Sequence, residues 1–151
     1  MKAKDYLLQL EKLDKLIENK LAEKVHWKSV ALNTTAPMDS ERVQSSGSQQ
    51  KIADAVIRYI DIEREIDCRI DELVDKRKEV ISTIEQLPAA EYDVLHKMYV
   101  QYWVFQDIAS AHDKSYSWAT TVHGRALQHL QEILDRRGSN ERETGTGRHG
   151  L

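Results

Sequence analysis

The apolar residues of this chain fall into a few long, regular stripes. Between Lys4 and about Leu32 there is neither Gly nor Pro, and Tyr6, Leu10, Leu13 and Ile17 recur in alternating steps of four and three. That spacing marks one apolar face of an α-helix. Leu7 and Leu21 widen the stripe and Trp27 keeps its register, while Lys20 and Lys24 fray it. A second and stronger stripe runs through Ile52, Val56, Tyr59, Ile66, Ile70, Leu73, Val80, Ile84 and Leu87, interrupted by Glu63 and Arg77. It predicts roughly 37–39 helical residues, about 55–58 Å at 1.5 Å per residue. Such a helix is not stable alone, so its stripe must meet another helix. The nearest partner is the first helix, folded back antiparallel. Ile60, Val74 and Ile81 lie beside the stripe and leave apolar area for a third helix or a second subunit. Glu63 and Arg77 read as partly solvated positions rather than as register determinants. If the register positions are fully packed, Ile70→Asp unfolds the hairpin or breaks a dimer.

The breaks between stripes set the organisation. Residues 33–48, "NTTAPMDSERVQSSGS", turn abruptly to Ser, Thr, Asn, Pro and Gly and predict a long loop. Its Ser-Ser-Gly-Ser end reads as a cap for the following helix; an anion site with Arg42 nearby is the alternative. Pro88 suits the first turn of a new helix, with Glu91 favourable near its N-terminus and Leu95, Tyr99 and Tyr102 on its apolar face. Two short helices follow, and from Arg136 no apolar residue occurs until Leu151, which predicts a disordered tail. The expected fold is all-α: a coiled-coil helical hairpin over 1–87, a helix-turn-helix domain over 88–137 and a tail over 138–151.

Composition narrows the function. The 151 residues carry 22 Lys and Arg against 25 Asp and Glu, a net charge of -3, so no general basic coat exists for nucleic acid. A local contact surface remains open, because electrostatics act within about 8–10 Å. The single cysteine, Cys68, has no internal disulfide partner and sits opposite the stripe. Together with the lack of any long apolar run, this points to a cytoplasmic protein with no membrane partner. His96, His112, His123 and His129 lack metal-ligand spacing, and no nucleophile-base pair or phosphate loop stands out. We therefore expect no metal, no cofactor and no enzyme.

The remaining chemistry sits in "DIASAHDKSYSWATTVHGRAL", residues 107–127. A helix of about Phe105–Ala111 offers Phe105 and Ile108 to a core, and Ala109 is small where two helices would cross. "HDK" makes the turn, with Asp113 where the left-handed conformation is needed. Ser115 then caps a second helix by accepting from the N–H of Ser117 or Trp118. Ala119, Val122, Ala126 and Leu130 share its core face, so Ser117, Thr121, Gly124 and Gln128 point outward, flanked by Thr120, Trp118 and Arg125. Small polar residues and a glycine let a helix sit deep in a major groove. Thr methyls and Trp118 suit thymine methyl groups, while Gln128 and Arg125 reach bases or phosphates. Lys97, Lys114, Arg125, Arg136 and Arg137 are the cations left for phosphates. The competing reading is three helices packed for stability alone.

The run "YVQYWVFQDIASAHDKSYSWATTVHGRALQHLQEIL" resembles region 4 of the sigma-70 family, the helix-turn-helix that reads the -35 promoter element. Phe105, Ile108 and Ala109 match its first-helix core, Ser115 its cap, and Val122, Ala126, Leu127 and Leu130 its recognition-helix core. The resemblance implies base and phosphate contacts at Tyr116, Ser117, Trp118, Thr120 and Thr121. That family usually carries arginines and a glutamine there, and a branched residue at Ala119, so its -35 specificity does not transfer. Residues 1–137, through "LEKLDKLIENKL", "ERVQSSGSQQK", "YIDIEREID" and "YSWATTVHGRAL", are similar to small ArpU-type, sigma-like regulators of Firmicute prophages and integrative elements. This implies a phage-borne transcription regulator that contacts double-stranded DNA, with a coiled coil that forms a homodimer or docks on host RNA polymerase. The alternative is an adaptor that binds polymerase or a phage protein and never touches DNA.

Overall fold

In a computed structural model, residues 1–33 and 46–145 are described, and all of their regular structure is helical. The order is α1 (Ala3–Asn33), α2 (Ser46–Ile84), α3 (Ala89–Leu95), a π-helical turn (His96–Val100), α4 (Phe105–Ala111) and α5 (Tyr116–Gly145). None of these helices is long and apolar enough to cross a membrane. The predicted loop chemistry, cap or anion site, falls mainly on residues outside those described.

The chain divides into two compact units, Met1–Glu11 with Asp75–Leu151, and Lys12–Val74. The division passes through both long helices, α1 after Glu11 and α2 after Val74. In the smaller unit Lys20 meets Glu65 at 2.6 Å and Lys24 meets Glu63 at 3.0 Å, so the two helix segments run side by side and antiparallel. Leu13, Ala55, Ile62 and Ile66 are buried there. The predicted α2 stripe is only partly covered. Val56 and Ile70 are each 42% exposed, which corrects the expectation that every register position is packed. The reason is geometric: the apolar surface of α2 spans more of its circumference than one partner helix can cover. Glu63, bound to Lys24 at a half-exposed position, is the partly solvated residue expected.

The larger unit holds the main core. Leu7, Leu10, Ile84, Leu95, Ile108 and Leu130 are fully buried, and α3 and α4 both pack on α5. Tyr6 and Thr83 make a buried hydroxyl pair at 3.1 Å. Thr83 donates its own proton to the Glu79 carbonyl at 2.8 Å, so Tyr6 is the donor to Thr83.

Two features depart from the sequence pattern. Tyr102, expected on the apolar face of the third helix, lies 47% exposed with φ at 61°, because the helix widens into a π turn and then stops. The Trp103 N–H closes that end on the Lys97 carbonyl at 2.8 Å. The second departure is α5, which runs to Gly145 through eight residues assigned to a disordered tail. Propagation from the packed first half costs little per residue. Ser139 and Thr144 also bond back to the Asp135 and Asn140 carbonyls.

Candidate nucleic-acid interface

The turn between α4 and α5 is built by local chemistry. Asp113 takes φ of 54°, the left-handed conformation that ends α4. Around it Lys114 N–H reaches the Ala109 carbonyl at 2.9 Å and Asp113 N–H reaches the Ser110 carbonyl at 3.1 Å. This pair of bonds is the Schellman pattern, with aspartate in the place glycine usually fills. Ser115 Oγ then accepts the Trp118 N–H at 3.1 Å and caps α5.

Past the cap, α5 sorts its faces as its period dictates. Ala119, Val122, Ala126 and Leu130 are buried, with Val122 joining Val94 and Ile108 in one apolar cluster. Ser117, Thr121, Gly124, Arg125 and Gln128 are exposed, as are Lys114 and Tyr116 at the start of the helix. A Cβ built on Gly124 would meet nothing within 4 Å. The other predicted contact residues sit differently. Trp118 is half-buried, packed on the Val94 cluster with its ring 5.0 Å from that of His112. It forms one wall of the face rather than a free probe. Thr120, half-buried, spends its hydroxyl proton on the Ser117 carbonyl at 2.9 Å. Tyr116 leans edge-on against Phe105 at 5.7 Å.

The four histidines of the larger unit's helices each hold a hydrogen bond that spacing along the chain does not reveal. His112, at the turn, lies 2.5 Å from Asp93 of α3, and Asp93 also accepts from Lys97 at 2.6 Å. Lys97 lies over the Trp103 ring at 5.4 Å. This network ties the turn to α3, and it also removes Lys97 from the predicted phosphate-binding cations. Burial pushes the Asp93 carboxyl up, but the bonds from Lys97 and His112 outweigh it and hold the group below its ordinary value. His129 Nδ1 lies 2.7 Å from the buried Glu91, joining α5 to α3. His123 bonds the Tyr99 hydroxyl at 2.7 Å and meets Phe105 edge-on at 5.1 Å. Burial, with Lys4 adding to it, lowers the affinity of His123 for a proton; burial pushes the Tyr99 phenol up to about 12. His96 accompanies Gln101 at 2.8 Å and is lowered by burial and by Arg77. Among the described residues no group of three His, Cys, Asp or Glu is placed to hold a metal ion.

These shifts have a sign. His123 and His96 titrate lower folded than unfolded, so their contribution to stability is complete above the ordinary value of 6.5 and is lost as pH falls through their folded values. Asp93 behaves alike below its ordinary 3.8. Urea midpoints are therefore expected to be level above pH 7, to decline from about pH 6.5 to 5, and to fall again below about pH 4. His123→Phe should flatten the first decline. A midpoint constant from pH 7 to 5 would contradict this assignment.

Compared with protein-family models, with curated proteins and with solved structures, the chain shows no match.

Proposed function

We propose that this chain is a phage- or prophage-type transcription regulator of the bacterial cytoplasm, reading promoter DNA with the first half of α5. Tyr116, Ser117, Thr121 and Gln128 supply contacts to bases, Thr120 and Trp118 supply apolar edges, and Lys114 and Arg125 supply cations for phosphates. The short α4 and the turn act as the supporting half of a helix-turn-helix.

One observation carries this reading. Glycine inside a helix costs about 0.8–1 kcal/mol relative to alanine. Gly124 lies in the first half of α5, and among the described residues nothing lies within 4 Å of where its Cβ would be; Gly138, further along the same helix, is equally open. Packing among the described residues therefore does not account for it. Close approach of an outside surface does, and the neighbouring exposed residues are small hydrogen-bonding side chains of the kind that line a groove contact. The exposed cations on this stretch, Lys114 and Arg125, limit phosphate contacts to a few.

The test starts by selecting sequences from a random duplex pool with the purified protein. The enriched duplex should bind with a salt slope of about -2 to -4, corresponding to two to four phosphate contacts. Thr121→Ala combined with Gln128→Ala should weaken that binding by about 10- to 100-fold. Gly124→Ala should stabilise the fold by up to about 1 kcal/mol while also weakening binding. Unchanged binding in the double variant would remove α5 as the reader. Failure to enrich any sequence, with or without host polymerase, would favour the adaptor that docks on polymerase or a phage protein. The capture of Lys97 by Asp93 is what lends that second reading weight.

A further inference from the structure

The Lys12–Val74 unit carries apolar surface that its own two helices leave uncovered. On α2 the buried residues Ala55, Ile62 and Ile66 share one face with the half-buried Leu73. Val56, Ile60, Ile70 and Val74 form a second stripe, about 95° further round the helix at 100° per residue. All four are 41–45% exposed. On α1, Lys20 and Lys24 pair with α2, the buried Leu13 and half-buried Ile17 share their face at 100° per residue, and Leu21 and Val25 lie about 90° further round in the same sense. They are 47% and 69% exposed. Because the helices run antiparallel, equal rotation in the same sense brings both second stripes to one side of the pair. Lys24 and Glu63, joined at 3.0 Å, bridge the two helices on that side.

We infer that this side is the contact face for a second copy of the chain, forming an antiparallel four-helix bundle about a two-fold axis near Leu21 and Glu65. The inference is independent of DNA reading. The face is self-complementary. Lys20 pairs with Glu65, so residue 21 of α1 and residue 65 of α2 lie at one level. A two-fold axis there sets Val56 against Val74 of the second copy, Ile60 against its Ile70, and Leu21 against its own equivalent. It also sets Lys28 against Asp14 of the second copy. At relative exposures of 41–69%, the six apolar residues expose on the order of 500 Å² in all. With homodimer interfaces about 65% apolar, this corresponds to roughly 800 Å² per partner, the size of a standard stable interface. The arrangement contains one opposed feature: Glu63 and Asp67 of both copies gather at the axis, and of the two it is Glu63 that forms an ion pair among the described residues, with Lys24. That cluster weakens the dimer and identifies the axis.

Sedimentation of the full chain at about 100 µM should show a dimer with a dissociation constant in the low micromolar range. Ile70→Asp should weaken association at least about 100-fold with helical content unchanged, since it buries two unpaired charges. Asp67→Asn should tighten it several-fold. In a Cys68→Ser background, Leu21→Cys should form a covalent dimer on oxidation. A monomer at that concentration overturns the inference. A dimer indifferent to Ile70→Asp, no tighter with Asp67→Asn, or uncrosslinked through position 21 overturns it as well, by placing the contact elsewhere.

Discussion

Ile108→Ala should destabilise the larger unit by roughly 2–5 kcal/mol. Ile108 is fully buried and, with Ala109, is all that α4 contributes to the core. A helix of 7 residues lies far below the length that is stable alone, so α4 depends on its tertiary contacts, of which the burial of Ile108 is the largest. Truncation opens a cavity beside Val94 and Val122, the cluster on which Trp118 leans. It also loosens the platform that sets the Asp113 turn and the Ser115 cap at the start of α5. Urea unfolding followed by tryptophan fluorescence and by circular dichroism measures the loss. Gln106→Ala, at an exposed position of the same helix, should change stability by less than about 0.5 kcal/mol. A loss below about 1 kcal/mol in Ile108→Ala would show that α4 is held by something other than its apolar side.

The same residues show what could be read in the chain and what could not. The faces of α5 follow from period alone: Ala119, Val122, Ala126 and Leu130 are buried and Ser117, Thr121, Gly124 and Gln128 exposed. The Ser115 cap and the left-handed Asp113 were legible too, because both depend on neighbours within a few residues. The α2 stripe was only half legible. A three-four repeat marks which side of a helix is apolar, but not how much of that side a partner covers. Val56 and Ile70 belong to the repeat and are still exposed. The π turn and the strained Tyr102 had no local signature; nothing in "HKMYVQYW" distinguishes a helix that widens from one that continues. The histidine pairs were out of reach for another reason. Asp93 and Lys97 stand at i,i+4 spacing and were available to a reader, whereas His112 and His129 find their partners 19 and 38 residues away. Those pairings exist only once α3 lies against α4 and α5. For the candidate site, exposure was therefore largely predictable and support was not: Trp118 is half-buried, held by the core and by His112.

Of those distant pairs, Glu91 with His129 should be the most costly to break. Glu91 is only 5% exposed, and His129 Nδ1 stands 2.7 Å from its carboxylate. His129→Ala leaves that carboxylate without this partner. Losing one member of a buried pair costs about 3–5 kcal/mol when both groups are dry. The His129 side chain is 41% exposed, so water can take part of its place, and a loss of roughly 1.5–3 kcal/mol is expected instead. Glu91→Gln keeps the shape and can still bond the imidazole, so it should lose less than His129→Ala. The double variant, Glu91→Gln with His129→Ala, should be less destabilised than the sum of the two single changes. The amide left behind is cheaper to bury than the carboxylate. Measured by urea unfolding, strict additivity would mean that the two side chains do not interact in solution. Coupling above about 0.5 kcal/mol would show that α5 is held to α3 through this pair. The position of α5 on α3 and α4 would then depend on His129 as well as on the apolar core.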